Sequence, residues 1–533
     1  MNSDGGFSQS VLLSRCSTCG AFSIGPKRFD PSVAFGARHS TLLNGNEPPD
    51  ESEFLFVRSV VSKTEASLAG LDAEIANLQA NLKRSEEERA ALFSYQTRNR
   101  AILSPLRRIP PELLREIFSW TLPLLKNPGE VGHGIGQSPW LVTQISSRWR
   151  AVSLSTPSLW SRITIDYPLS HRTSSTYSPS LIRAQLGYSR TFRIHFYASQ
   201  EMNFRPQLEM FKVLLEHSSR WEELSLGLTA EMVPTLVALR DQIPSVRRLW
   251  IQWSSLDDQI GVRSIDYFQT ASSLVDVGIF NEYRFVPVLL PVYQLTRYDI
   301  DCPLDEHLRI LEQTPNLVEA RIDIGFDEQP WPNFVEAIDL LCLQRMSISH
   351  SEALKYFRVP ALEELAVLEG KDSPDLLPPF LSLLDRSSCP LRRLCLVSPT
   401  AHTTARILQC SPLLTELIIL HDDEDSSDEV NALIATLTNP TIAPHLHLIF
   451  FGCEVESHLD YMAYLEMLKS RRTAENCALK SAALLIAAGP KPESATISGL
   501  HALREEGLDL LLLEGGKAVD EMDSWDYRTV LRH

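Results

Sequence analysis

Residues 391–420 read LRRLCLVSPTAHTTARILQCSPLLTELIIL, and this stretch decides the fold. Leu391, Leu394 and Leu396 spell a loose L-x-x-L-x-L phrase, and Leu414, Leu417 and Ile419 repeat it. Alternate apolar residues in so short a run predict a β-strand. Between the two copies, TTARILQCSP has helix-like apolar spacing. It ends in Pro412, which stops a helix and favours an extended entry into the next strand. A strand followed by a helix cannot bury its apolar side alone, so neighbouring copies must stack.

Upstream the phrase recurs as Trp221–Leu224–Leu226, Val246–Leu249–Ile251, Leu274–Val277–Ile279 and Leu295–Tyr298–Ile300. It continues as Leu317–Ala320–Ile322, Leu343–Met346–Ile348 and Leu362–Leu365–Val367, with fainter copies in TFRIHF and APHLHL. The mean step of roughly 25 residues lies in the range of leucine-rich repeats, which residues 166–470 resemble. The resemblance implies an α/β solenoid of parallel strands with helices outside. Where that pattern wants Asn or Cys after each strand, this chain has Thr229, Ser254, Glu282, Pro303, Gly325, Ser351, Gly370, Pro399 and Asp422. Residues 471–533, apolar around 484–486 and 508–513, are expected to form a C-terminal helical cap.

Alternation along such strands points Arg248, Trp250, Arg297, Asp299, Asp301, Glu319, Arg321 and Asp323 to one face. This charged patch is the expected site for a protein target. Later copies present Ala366, Leu368, Cys395, Val397, Ile418 and Leu420 there. An apolar patch of that kind marks an interaction site or is covered by another segment.

Residues 104–165 carry three further motifs: IPPELLREIF, SSRWRAV and PSLW. Pro111 suits the first turn of a helix, where its missing N–H is not needed. Leu113 with Ile117, and Leu114 with Phe118, build an apolar stripe at four-residue spacing. A second helix aligns Leu141, Ile145, Trp149 and Val152. Together these motifs resemble an F-box, an all-α unit. The resemblance implies that the chain docks on a Skp-type adaptor of a cullin complex. It assigns the contact or core positions to Leu106, Ile109, Pro110, Pro111, Glu112, Leu113, Leu114, Ile117, Phe118, Leu141, Ile145, Trp149, Leu159 and Trp160. The Gly-rich loop over residues 128–136 is longer than in the compact form of that domain.

Residues 54–103 hold no proline, and Leu68, Ile75 and Leu82 recur every seven residues, as do Leu71 and Leu78. This predicts an amphipathic, coiled-coil-like helix, used either for self-association or for folding against its own chain. Residues 1–53, rich in Ser, Gly, Asn and Pro, are expected to be disordered. The expected architecture is therefore multidomain: an all-α F-box preceded by a coiled-coil-like helix, then an α/β leucine-rich-repeat-like solenoid.

The 533 residues carry a net charge of −17 without a basic stretch, which argues against nucleic acid as a partner. The start lacks a secretory pattern, and apolar runs fall short of the ~20 residues of a membrane helix. Nine cysteines, mostly within apolar repeats, fit reduced thiols and an intracellular, soluble protein, cytoplasmic or nuclear. Cys16 and Cys19 lack a second ligand pair, and His445 and His447 lack a third ligand, so no metal or cofactor is expected. GEVGHGIG has no following Lys-Ser or Lys-Thr, so it is not a phosphate-binding loop. The acidic run HDDEDSSDE places Ser426 and Ser427 where phosphorylation would deepen a negative patch. No residue is nominated as catalytic. The resemblance implies a non-catalytic substrate-recognition subunit of an SCF-type (Skp–cullin–F-box) ubiquitin ligase. The alternative is a repeat scaffold acting without a ligase.

Overall fold

The computed structural model describes residues 13–15, 22–24, 37–122, 138–167, 178–281, 283–327, 331–332, 336–368, 375–421, 427–456, 458–474 and 479–525. Cys16, Cys19, the Gly-rich loop and residues 422–426 of the acidic run lie outside them. The chain divides into two compact units between Ile109 and Pro110.

In the first unit, Leu13–Arg15 pairs antiparallel with Phe22–Ile24. A short helix, α1 (Ala37–Asn44), lies in the segment expected to lack structure. Arg38 ties it to Glu47 (2.6 Å) and Glu53 (3.2 Å). The long helix α2 (Glu51–Ile102) opens with a capping box. Asp50 accepts from the Glu53 backbone N–H at 2.7 Å, and Glu53 accepts from that of Asp50 at 2.9 Å, satisfying two donors the first turn leaves unpaired.

The second unit is α/β. Its helical lead comprises α3 (Pro111–Trp120), α4 (Val142–Ile145) and α5 (Ser147–Leu154). There follow fourteen strands in one sheet, each pairing in parallel with the next in sequence. They are β1 (Arg162–Asp166), β2 (Phe192–Tyr197), β3 (Trp221–Leu228), β4 (Arg248–Trp253) and β5 (Asp276–Phe280). Next come β6 (Arg297–Cys302), β7 (Glu319–Ile324), β8 (Arg345–Ile348), β9 (Glu364–Val367) and β10 (Arg393–Val397). The last four are β11 (Glu416–His421), β12 (Leu448–Glu456), β13 (Ser481–Ala488) and β14 (Asp509–Glu514).

The expected fold class needs correction. The described residues show an α/β fold on one 14-stranded all-parallel sheet, rather than an all-α F-box followed by a leucine-rich-repeat-like solenoid. Two local features explain the difference. SRITI, the strand-like end of the segment assigned to the F-box, is the edge strand β1 and pairs with β2, so it belongs to the sheet. The segments around 484–486 and 508–513, read as helical, are β13 and β14. Strands of a parallel sheet can be buried on both faces and then read as unbroken apolar runs, which periodicity cannot separate from helix.

The nine copies of the strand phrase lie in register. Leu224, Leu249, Val277, Tyr298, Ala320, Met346, Leu365, Leu394 and Leu417 form one row across β3–β11. All are buried in the larger core, beneath helices such as Phe204–Leu215, Leu304–Leu311 and Leu377–Ser387. Each Leu, Val or Met side chain of the row contributes roughly 1.5–3 kcal/mol by burial.

The opposite face has two halves. Over β9–β13 it is apolar, where Cys395, Ile418, Phe450 and Leu485 form one buried cluster with Ala518 and Met522 of the last described helix (Gly516–Trp525). Gly452 makes room for this helix, since a Cβ there would lie 2.6 Å from Met522 Sδ.

At the start of the strands the same face carries a charged row whose sign alternates over ten strands. Arg193, Glu223, Arg248, Asp276, Arg297, Glu319, Arg345, Glu364, Arg393 and Glu416 occupy one register position. Arg248 lies 3.3 Å from Glu223 and 3.0 Å from Asp276, while Arg297 lies 3.4 Å from Asp276 and 3.0 Å from Glu319. Arg345 reaches Glu319 at 3.4 Å, and Arg393 reaches Glu364 and Glu416 at 3.7 and 3.6 Å. Asp276 is the most buried link, and burial pushes its carboxyl up against the pull of Arg297 and Arg248.

Arg297→Ala is expected to cost about 3 kcal/mol of unfolding free energy at neutral pH, because it leaves a buried carboxylate short of a partner. The loss should shrink at acidic pH, as Asp276 takes up a proton. Urea midpoints at the two pH values read the difference.

Candidate functional site: an apolar helical face

Pro111 opens α3 at its first position, and the helix turns Leu114 and Phe118 fully inward. Phe118 packs on Trp149 of α5, ring centroids 4.9 Å apart. Ser146 caps α5 by accepting from the Trp149 backbone N–H at 3.1 Å. The turn Pro157–Trp160 follows, and the Trp160 indole N–H donates to the Ser153 carbonyl at 2.9 Å. Trp160 packs against Trp140 and Tyr188 at 4.8 and 4.9 Å. Gln185 donates to the Arg162 carbonyl at 2.7 Å. These contacts root the helical lead on the sheet edge at β1.

With that side committed to the core, the other side is left bare. Leu113, Ile117 and Trp120 lie at i, i+4 and i+7 on α3 and are 56%, 41% and 81% exposed. Leu141 and Ile145, four residues apart at α4, are 45% and 54% exposed. Both helices pack on α5. Exposed large apolar side chains grouped at helical spacing in this way are candidates for an interaction site.

The expected adaptor positions thus separate by role. Leu114, Phe118, Leu159 and Trp160 are core, and Trp149 is half-buried. Leu113, Ile117, Leu141 and Ile145 present the bare face, and Pro110, Pro111 and Glu112 are exposed at its margin. Leu106 (exposed) and Ile109 (half-buried) belong to the first unit. Trp120, the most exposed of the group, was missed. Its i+3 spacing from Ile117 was the available signal.

The second candidate patch, on the sheet face, is largely engaged within the chain. Arg248, Arg297 and Glu319 are links of the charged row. Asp301 accepts from the Asn281 backbone N–H at 2.7 Å. Asp323 lends its backbone carbonyl to the buried His307 at 3.0 Å. A carbonyl only accepts, so His307 carries its proton on Nε2, and Nδ1 accepts from the Tyr298 hydroxyl at 2.7 Å. Burial lowers the His307 pKa to about 4. Trp250 and Asp299 remain half-buried on this face. Arg321 lies 3.8 Å from Asp299. Charge reversal at Arg297 would therefore disturb the fold as well as any target contact, whereas Trp250 offers a cleaner probe.

Among the described residues, no group of three or more His, Cys, Asp and Glu side chains is arranged to hold a metal ion. Nor is any of their helices long and apolar enough to cross a membrane. No protein-family model matches this chain, and no curated protein matches it.

Burial, reinforced by Asp323 and Asp301, pushes the Asp299 carboxyl up to about 7 despite Arg321. The folded state therefore holds a proton that the unfolded chain releases near pH 4, and this contribution to stability is lost as pH rises through about 7. Asp299→Asn should raise stability relative to the parent more at pH 8 than at pH 5, by at most about 3 kcal/mol. Thermal melts at both values test this, and a difference that does not change with pH would refute it.

Proposed function

We propose that the chain is a non-catalytic substrate-recognition subunit of an SCF-type ubiquitin ligase. The bare face of α3 and α4 takes the Skp-type adaptor, and the sheet-bearing unit takes a protein target. The observation that carries this reading is the split of one short helix, with Leu114 and Phe118 fully buried while Leu113, Ile117 and Trp120 face outward. A helix that only completed its own core would have no use for a second apolar stripe. The IPPELLREIF, SSRWRAV and PSLW motifs supply the resemblance that names the partner class. On this reading ubiquitin transfer happens elsewhere in the complex, and this chain raises the target's local concentration beside it.

Copurification of the full-length chain with adaptor and cullin tests the reading. The Leu113→Asp, Ile145→Asp double variant alters two exposed positions and leaves Phe118, Trp149 and Trp160 in place. It should melt like the parent yet bind adaptor with a loss of about 2 kcal/mol or more, roughly thirtyfold in affinity. A folded parent chain that binds no adaptor overturns the proposal. Adaptor bound without cullin would favour the ligase-independent scaffold.

A further inference from the structure

Helix α2 spans 52 residues, about 78 Å at 1.5 Å per residue. None of its residues is buried. Between Val61 and Leu82 its large apolar side chains nevertheless keep to one seam. With Leu68 at heptad position a, Val61, Ile75 and Leu82 also fall at a, while Thr64, Leu71 and Leu78 fall at d. The six apolar members are between 46% and 61% exposed. On the opposite side, Ala69, Gly70, Ala73, Ala76, Asn77 and Ala80 offer no large apolar group. A stripe that repeats strictly every 3.5 residues suits a supercoiled helical partner, whereas docking on a globular core uses a broader face.

We propose that residues 61–82 of α2 pair with the same segment of a second copy of this chain, in a parallel, in-register, two-stranded coiled coil. The seam is complementary to itself, since each a residue meets its own counterpart and so does each d residue. Val61 and Ile75 at a, with Leu71 and Leu78 at d, are the side-chain shapes that favour two parallel strands.

Flanking charges select the same arrangement. In parallel pairing a g residue meets the e residue of the following heptad. That sets Ser67 beside Asp72, Glu74 beside Gln79 and Asn81 beside Glu86. No like charges meet. In the antiparallel registers that pair Leu68 with Leu78 or with Leu71, Asp72 opposes its own copy or Glu65. Ser85 and Arg89, at the next d and a positions, mark where the seam ends.

The test is mass in solution, with the purified full-length chain followed by sedimentation across a concentration series. The parent should approach twice its 60.0 kDa mass at high concentration. Leu71→Glu, Leu78→Glu should stay monomeric while the sheet unit melts as in the parent. A parent that is monomeric throughout overturns the proposal, and is also the result if a foreign helix is the true occupant. A double variant that remains dimeric overturns it too.

Orientation is read with Leu78→Cys under mild oxidation. Parallel pairing sets the two thiols side by side, giving a reducible covalent dimer in excess of any formed by the parent through its exposed Cys342 and Cys410. In the antiparallel register that pairs Leu68 with Leu78, each Leu78 would lie about 15 Å from its copy. A dimer without the cross-link refutes the parallel assignment. The Leu113→Asp, Ile145→Asp variant should keep the parent's mass, so failure of the adaptor reading and failure of this one give different results.

Discussion

Register is the constraint on which the second unit depends. A parallel strand finds its hydrogen-bond partners only when both neighbours align with it, and a slip of one residue would turn its apolar set to the wrong face. The buried row from Leu224 to Leu417 and the charged row from Arg193 to Glu416 enforce the same alignment from opposite faces of the sheet. The apolar row supplies most of the free energy. Most charged links are partly exposed, and such pairs typically contribute less than about 1 kcal/mol each. Their main effect is selective, because like charges placed directly opposite one another are destabilising.

The two faces divide the work of the sheet. One is roofed by helices along its length and forms the larger core. The other is closed by the last helix over β12 and β13, and carries charges and half-buried polar groups nearer the start of the sheet. His307 shows how closely the two are linked. It sits in the roofing helix Leu304–Leu311, accepts from Tyr298 in β6 and donates to the end of β7. The polar face therefore cannot shift without disturbing a fully buried imidazole.

Much of this arrangement was legible in the sequence. The L-x-x-L-x-L phrase located nine strands, because its apolar positions are the in-register core rows. Alternation then placed Arg248, Trp250 and Asp299 on the correct face. The last strands were misread because Leu484 and Leu512 sit in apolar runs without alternation, buried on both faces around Leu484 and partly exposed along the edge strand of Leu512. The charged row was visible too, but only after alignment of the phrases, since the residue before each central apolar position alternates Glu, Arg, Asp, Arg, Glu. Taken one strand at a time, Arg297 and Glu319 looked available for a target. In the helical lead, four-residue spacing found the paired stripes of α3, but spacing alone does not say which stripe faces inward. The ring contact between Phe118 and Trp149 decides that.

The alternating row also gives the sheet a parity. Removing one strand-and-helix unit from the middle, between β3 and β11, would bring two arginines or two acids side by side, whereas removing two adjacent units would restore the alternation. A sheet built this way tolerates growth or shortening in pairs more readily than in single units. The chain thus carries, in one side chain per strand, a rule about how its own length can change.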